Sequence, residues 1–220
     1  MEVKDAIFGR KSVRKFLPKD IEKEKLIRLL DLSRRAPTWK NAQAYKIVVV
    51  KGKLKNQITD SILSEIESGS QDNPDFPYQT FYPNYIKKRM LELGAAYYGH
   101  LNVDRKDKER RKDLLLDNFK FFGAPVAIFL LMEKGMEYWP TLDLGILLGT
   151  IMIAARDEGL ETIAQASLAS FPDIIRKHLN LESKWSIAVG LSIGYADYNS
   201  VENTFNSERV LSNEIIEFFE

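Results

Sequence analysis

The chain has 220 residues and a formal net charge of +1, with 45% hydrophobic and 29% charged residues. A balance this even gives no bulk attraction to nucleic acid or to an anionic membrane, so any cationic site has to be local. The absence of cysteine excludes disulfides, thiolate catalysis and cysteine-ligated metals, and it fits a reducing compartment.

Length and composition suit one soluble domain over residues 1–220. Met1 to Asp5 lack the apolar core of a signal peptide. The longest apolar run, Leu144 to Ala155, has 12 residues, whereas a spanning helix needs about 20. The expected location is the cytoplasm, with no membrane partner.

In chain order, Val3, Ala6 and Ile7 fall on one helical face, and Gly9 ends that helix. Arg10-Lys11-Ser12-Val13-Arg14-Lys15-Phe16 follows, with four cations and a hydroxyl inside six residues. Arginine presents a planar fork of donors that suits phosphate, and serine adds a neutral donor. A solvated basic turn accounts for these residues equally well when they are taken alone. Asp20 is placed to cap a helix carrying Leu26, Leu29, Leu30 and Ser33 on its buried face. Ala36-Pro37 stops that helix, because the residue before a proline avoids helical angles.

Pro37 to Gln43 reads as a polar loop. Ile47 to Val50 is a continuous β-branched run, expected to be a strand buried on both faces. Leu54, Ile58, Ile62 and Ile66 predict a helix. Residues 68–84 contain Gly69 and three prolines, which predicts a long loop of the kind that often roofs a binding site. Tyr85 to His100 and Asp104 to Phe122 predict two further helices. The charges of mixed sign in the latter read as a solvent-facing surface rather than a nucleic-acid interface.

Gly123-Ala124-Pro125 introduces a buried strand, Val126 to Met132. Leu142 to Arg156 predicts a helix apolar nearly all round, expected to be buried on every side and so to lie at a subunit interface. Gly145 and Gly149 place small residues on one of its faces, and Gly159 ends it. Glu161 to Ala164 predicts a short strand, Phe171 to Asn180 a helix and Trp185 to Tyr195 a long strand. Strands and helices do not alternate regularly, so the fold class is α+β.

Several of these segments, taken together, resemble the FMN-dependent nitroreductase family. The likeness is carried by Ala6 to Phe16, Ala36 to Gln43, Asn118, Phe122 to Pro125, Asp143-Leu144-Gly145 on to Ala154-Ala155 and Gly159-Leu160, Gly194 to Asp197, and Arg209. Their order and spacing span essentially the whole chain. The resemblance implies a central, mainly antiparallel sheet flanked by helices. It also implies an intertwined homodimer with FMN at the interface.

By position, the resemblance assigns Arg10, Lys11, Ser12 and Arg14 to the ribityl chain, phosphate and pyrimidine side of FMN. Arg209 would close on the phosphate, and Pro37, Thr38 and Asn41 of the partner subunit would edge the flavin. Gln43 belongs either with them or to the structure of the loop. Ile163-Ala164-Gln165-Ala166-Ser167 would run under the ring, with the Ala166 backbone N–H facing flavin N5. Ala44 and Ala164 stand where the family often has proline, which leaves those loops less rigid.

The flavin would carry the chemistry, so no metal and no catalytic triad is required. His100 and His178 lie apart from these motifs and read as structural. The implied reaction is ping-pong: NADH or NADPH gives hydride to N5, and a small-molecule oxidant (a nitroaromatic, quinone or activated enone) then takes it. Trp39, Tyr138 and Trp139 are either walls of that slot or packing residues. Alternative readings keep FMN but dehalogenate, oxidise or cleave the flavin, or make the chain a carrier without turnover.

Overall fold

A computed structural model covering residues 1–220 builds the chain around one sheet of four strands: β1 (Lys46–Lys51), β2 (Val126–Glu133), β3 (Glu161–Gln165) and β4 (Trp185–Gly194). Their order is β1-β2-β4-β3, and every neighbouring pair is antiparallel. The one parallel contact is an isolated bridge between Ser12 and Thr162. The helices are α1 (Val3–Gly9), α2 (Lys23–Ser33), α3 (Gly52–Glu67), α4 (Asn84–His100), α5 (Lys108–Leu116), α6 (Tyr138–Asp157) and α7 (Pro172–Leu179). The α+β expectation agrees with this arrangement.

Side chains alternate across a strand, so a strand buried on both sides feeds two cores. On β2, Val126, Ile128, Leu130 and Met132 join the core beneath α2 and α6, with Leu29, Leu147 and Ile151. Ala127, Phe129 and Leu131 join the opposite core, with Ile58, Ile62 and Ile175 of α3 and α7. Burying each large aliphatic side chain contributes about 1.5–3 kcal/mol, which is what holds helices on both faces.

Three expectations are revised. β1 is an edge strand: it pairs only with β2, Val50 is buried, and Val49 is open. Asp20 does not cap α2. That helix begins after Glu22 without a side-chain cap, and Asp20 instead pairs with Lys51 at 2.8 Å. The expected helix from Asp104 to Phe122 is shorter, because Asp107 accepts the Arg110 N–H and starts α5 there. Phe121 and Phe122 then take positive φ angles of 56° and 52°, which end the helical path.

The protomer leaves part of α6 open. This helix has 20 residues and is long and apolar enough, by length and composition, to cross a membrane. One face, with Leu144, Leu147, Ile151, Ala154 and Ala155, is buried against the protein. The other face, with Leu142 and Gly145, is exposed. The protomer therefore covers α6 on one side only. α4 has no buried residue along its 17 positions.

Candidate functional site

The basic segment Arg10 to Phe16 crosses the open ends of β3 and β4. Its apolar residues fix it there: Val13 is fully buried and Phe16 is buried beside Gly194. A Cβ on Gly194 would lie 2.9 Å from the Phe16 ring, so the strand end has to be glycine for the segment to pass this close. Val13 N–H donates to Thr162 O at 3.2 Å, Phe16 N–H to Phe122 O at 3.2 Å, and Leu17 N–H to Tyr195 O at 2.8 Å.

With its backbone held, the segment directs its cations in different ways. Lys11 Nζ donates to Asn203 O. The Arg14 guanidinium lies 4.5 Å from the centre of the Tyr97 ring and donates to Ser12 O at 3.3 Å. Burial holds Arg14 below its ordinary pKa, with the Tyr97 hydroxyl opposing that shift. Burial also raises the Tyr97 pKa, opposed by Arg14. The Arg10 guanidinium and the Ser12 hydroxyl form no hydrogen bond or ion pair inside the protomer, so their donors are free.

Asn203 was not legible as a site residue from the sequence. It is 2% exposed. Its Oδ1 accepts the Arg14 N–H at 2.8 Å, and its Nδ2 donates to Lys15 O at 2.7 Å and to Asp197 O at 2.8 Å. Tyr97 was missed too, since it lies on a helix whose apolar residues repeat without a buried face.

Beside this segment, β3 runs into a short 3-10 turn, Ala166–Ala169. Ala164 pairs with Leu191 in the sheet, and Ala166 is exposed at the start of the turn. The first N–H groups of such a turn have no partner within it. The Gln165 side chain points into the protein. Its Oε1 accepts the Ser192 hydroxyl at 2.5 Å and its Nε2 donates to Asn118 O at 2.9 Å. Ser167 Oγ donates to Asn118 Oδ1 at 3.4 Å. Asn118, Gln165 and Ser192 thus hold the turn from behind.

Pro37, Thr38, Asn41 and Gln43 lie elsewhere, on a loop stretched over the start of α6. Asp143, buried on α6, accepts the Trp39 N–H through both carboxylate oxygens, at 3.1 and 3.0 Å. Thr38 Oγ1 accepts the Gln43 N–H at 3.2 Å, and Gln43 Nε2 donates to Asn41 O at 3.0 Å. Lys40, Asn41 and Gln43 have φ angles of 49°, 57° and 48°. Three such residues so close together are costly unless held, and strain of this kind clusters at functional sites. Trp39 stacks on Trp139 with ring centroids 4.8 Å apart. No hydrogen bond in the protomer joins this loop to Arg10–Phe16.

Arg209 is also apart. It is exposed, and its Nη1 donates only to Ser207 and to Glu208 O. One protomer therefore brings together Arg10, Lys11, Ser12, Arg14 and the Ala164–Ser167 turn. It leaves Arg209 and the Pro37–Gln43 loop unjoined to them.

The nitroreductase family profile matches residues 7–195, and those residues include the whole basic segment and all four strands. The chain belongs to the nitroreductase family. Among its nitroreductase relatives, a 4-nitrobenzoate reductase of Pseudomonas putida is 31% identical over 206 residues, covering 94% of this chain and 90% of that protein. Two solved nitroreductases share the fold closely. The FMN and NADPH-dependent nitroreductase NfnB from sphigopyxis sp. strain HMH superposes with a TM-score of 0.96 at 27% identity, over 100% of both chains. The FMN-dependent nitroreductase NfnB from Mycobacterium smegmatis, in complex with NADPH, superposes with a TM-score of 0.94 at 25% identity, over 99% of this chain and 97% of that one. The sequence resemblance to this family is thereby confirmed, and with it nitroreductase-type oxidoreduction.

Proposed function

We propose that residues 1–220 work as one unit that binds FMN and uses NADH or NADPH to reduce a small-molecule oxidant. The observation that carries this reading is the clamped basic segment, whose Arg10 guanidinium and Ser12 hydroxyl are left free next to β3, the strand that leads into the Ala166 turn. A phosphate monoester carries nearly two negative charges. Fixed donors of this chemistry suit it, because the segment needs little ordering when the anion arrives. The names of the relatives support the same cofactor and donor.

Bound FMN would supply two-electron ping-pong chemistry, taking hydride at N5 from NAD(P)H and passing it to an acceptor in the same slot. The chain's part is to bind and orient. Arg10 and Ser12 hold the phosphate and ribityl chain. Lys11 adds positive charge while its ammonium also secures Asn203. Arg14, stacked on Tyr97, sits at the pyrimidine edge, where a fixed cation favours negative charge on the ring. The Ala166 N–H would serve N5, and Ala164, Gln165 and Ser167 set the path of that turn. Arg209 closes on the phosphate.

The reading requires a second copy of the chain. The open face of α6 carries Leu142 and Gly145, and a glycine there permits close helix contact. A partner docked there brings its Pro37, Thr38, Asn41 and Gln43 to the flavin edge. Nitroaromatics are the first acceptors to test, after the relatives' names, followed by quinones and activated enones. NAD(P)H as donor fits a cytoplasmic enzyme.

The test is direct. The purified protein should be yellow, release FMN on denaturation, sediment as a dimer and consume NAD(P)H when given a nitrobenzoate. A colourless monomer that takes up no FMN in excess would refute the proposal. Yellow protein without turnover on any of the three acceptor classes would remove the reductase assignment and leave a flavin carrier.

A further inference from the structure

Asn203 joins two stretches of chain that lie about as far apart in sequence as the protein allows. Its side-chain bonds to Arg14 and Lys15 cross 189 and 188 positions. A planar amide is the one short side chain with an acceptor on one end and two donors on the other. Here the acceptor meets the Arg14 N–H, and the two donors meet Lys15 O and Asp197 O. The Asn203 carbonyl takes the Lys11 ammonium in addition. Both amide hydrogens and one lone pair of Oδ1 are therefore used, and three of the residue's partners, Lys11, Arg14 and Lys15, belong to the basic segment. Neighbouring bonds complete the frame: Asp197 N–H donates to Lys15 O at 3.0 Å, and Phe16 bridges Ala196.

We infer that Asn203 is the positioning residue of the phosphate subsite: it sets the spacing of Arg10, Ser12 and Arg14 and fixes where the C-terminal arm carrying Arg209 departs. The inference rests on the FMN reading above. Asn203 touches no ligand itself. Without its acceptor, Arg14 N–H is a part-buried donor with no partner in the protomer, and without its donors Lys15 O and Asp197 O each keep a single donor, from Asp197 N–H and Ser200 N–H, so the segment loosens. Arg209 lies six residues beyond Asn203, a reach of at most about 20 Å when extended. The clamp thereby keeps Arg209 within reach of the anion that the basic segment faces.

A phosphate-positioning role differs from a general structural one in what it does to ligand discrimination. FMN and riboflavin share the ring and ribityl chain and differ by the phosphate. The experiment titrates both into the full-length apoprotein and compares their Kd values for wild type, Asn203→Ala and Asn203→Asp. The Asp variant keeps the acceptor for Arg14 N–H and removes both donors. Ser33→Ala serves as the control, because its hydroxyl makes a buried bond to Leu29 O at 2.7 Å, in α2.

The expected result is that both Asn203 variants bind FMN about 10- to 100-fold more weakly, with riboflavin much less affected, as loss of charge-assisted phosphate bonds requires. Ser33→Ala lowers the melting temperature without changing the ratio. Wild type that binds FMN, together with Asn203 variants that keep the wild-type FMN-to-riboflavin ratio, overturns the inference and leaves the FMN reading standing. Wild type that binds no FMN refutes that reading instead. Should both variants fail to fold, amide exchange on wild type decides the matter. The Arg14 N–H must be strongly protected and further slowed by FMN more than by riboflavin, and equal slowing by both overturns the inference.

Discussion

The two cationic segments proposed to share one anion are built differently. Arg10 to Lys15 lies against the sheet with Val13 fully buried, and its backbone is caught by Thr162, Phe122 and Asn203. Arg209 sits on an exposed arm and bonds only to its own neighbours. The first segment is ordered by folding. The second is tied to the protomer only further along its arm, by the exposed Arg89–Glu214 pair at 2.9 Å, so the Arg209 side chain keeps freedom that it loses when a ligand or a second copy arrives. Donors fixed in advance give affinity, whereas a donor that closes later adds less because part of its gain offsets ordering.

The sharpest way to break this comparison is Arg14→Ala. It removes a guanidinium already stacked on Tyr97, so we expect FMN affinity to fall about 100-fold, the upper end for loss of a charged hydrogen-bonding group. Fluorescence titration of the apoprotein measures it, and a drop smaller than that of Arg209→Ala would reverse the comparison. Asp143→Ala tests the other prearranged element. Removing the charged acceptor of the part-buried Trp39 backbone N–H should lower stability by about 1–3 kcal/mol. The stacked Trp39–Trp139 pair should also lose its exciton couplet in circular dichroism. A couplet that survives would mean that Asp143 does not hold the loop.

Arg209→Ala should weaken FMN about 10-fold, the lower end for a charged contact, and the loss should shrink as salt is raised, because the arm is exposed. A salt-independent effect would place Arg209 in a buried pair instead. The smallest effect is expected from Asp20→Asn. Lys51 bonds Asp20 at 2.8 Å, and that hydrogen bond holds its carboxyl below the ordinary range. The group is largely open to water, so the pair should contribute less than about 1 kcal/mol. A lowered folded pKa means that the stabilisation is present above the unfolded value of about 3.9 and disappears as pH falls through the folded one. Melting curves of wild type and Asp20→Asn should therefore differ slightly at pH 7 and converge in acid.

Legibility followed the range of the interaction. β2, β3, β4 and α7 were readable to within a residue or two, since an apolar run or period with Gly or Pro at its ends is local information. Gly159, with φ of 70°, ends α6 where the sequence placed it. α5 was misread because nothing local announces that Phe121 and Phe122 turn into the left-handed region. β1 was misread because an apolar run says that a strand forms and not how many neighbours it has. The site was legible where side chains carry their own chemistry, as at Arg10, Ser12 and Arg14. It was opaque at Asn203, where an ordinary residue matters only through what it meets.

The sequence by itself determined the α+β class, the basic turn and its family. Each is written in residue type and spacing, and neither depends on where distant segments lie. Only the tertiary structure decided that Asn203 grips Arg14 from the other end of the chain, that Gln165 faces inward to Ser192 and Asn118, and that α6 keeps one face open. Those outcomes come from packing: a side chain's partners are chosen by which backbones come within about 3 Å of it, and chain order carries no record of that distance.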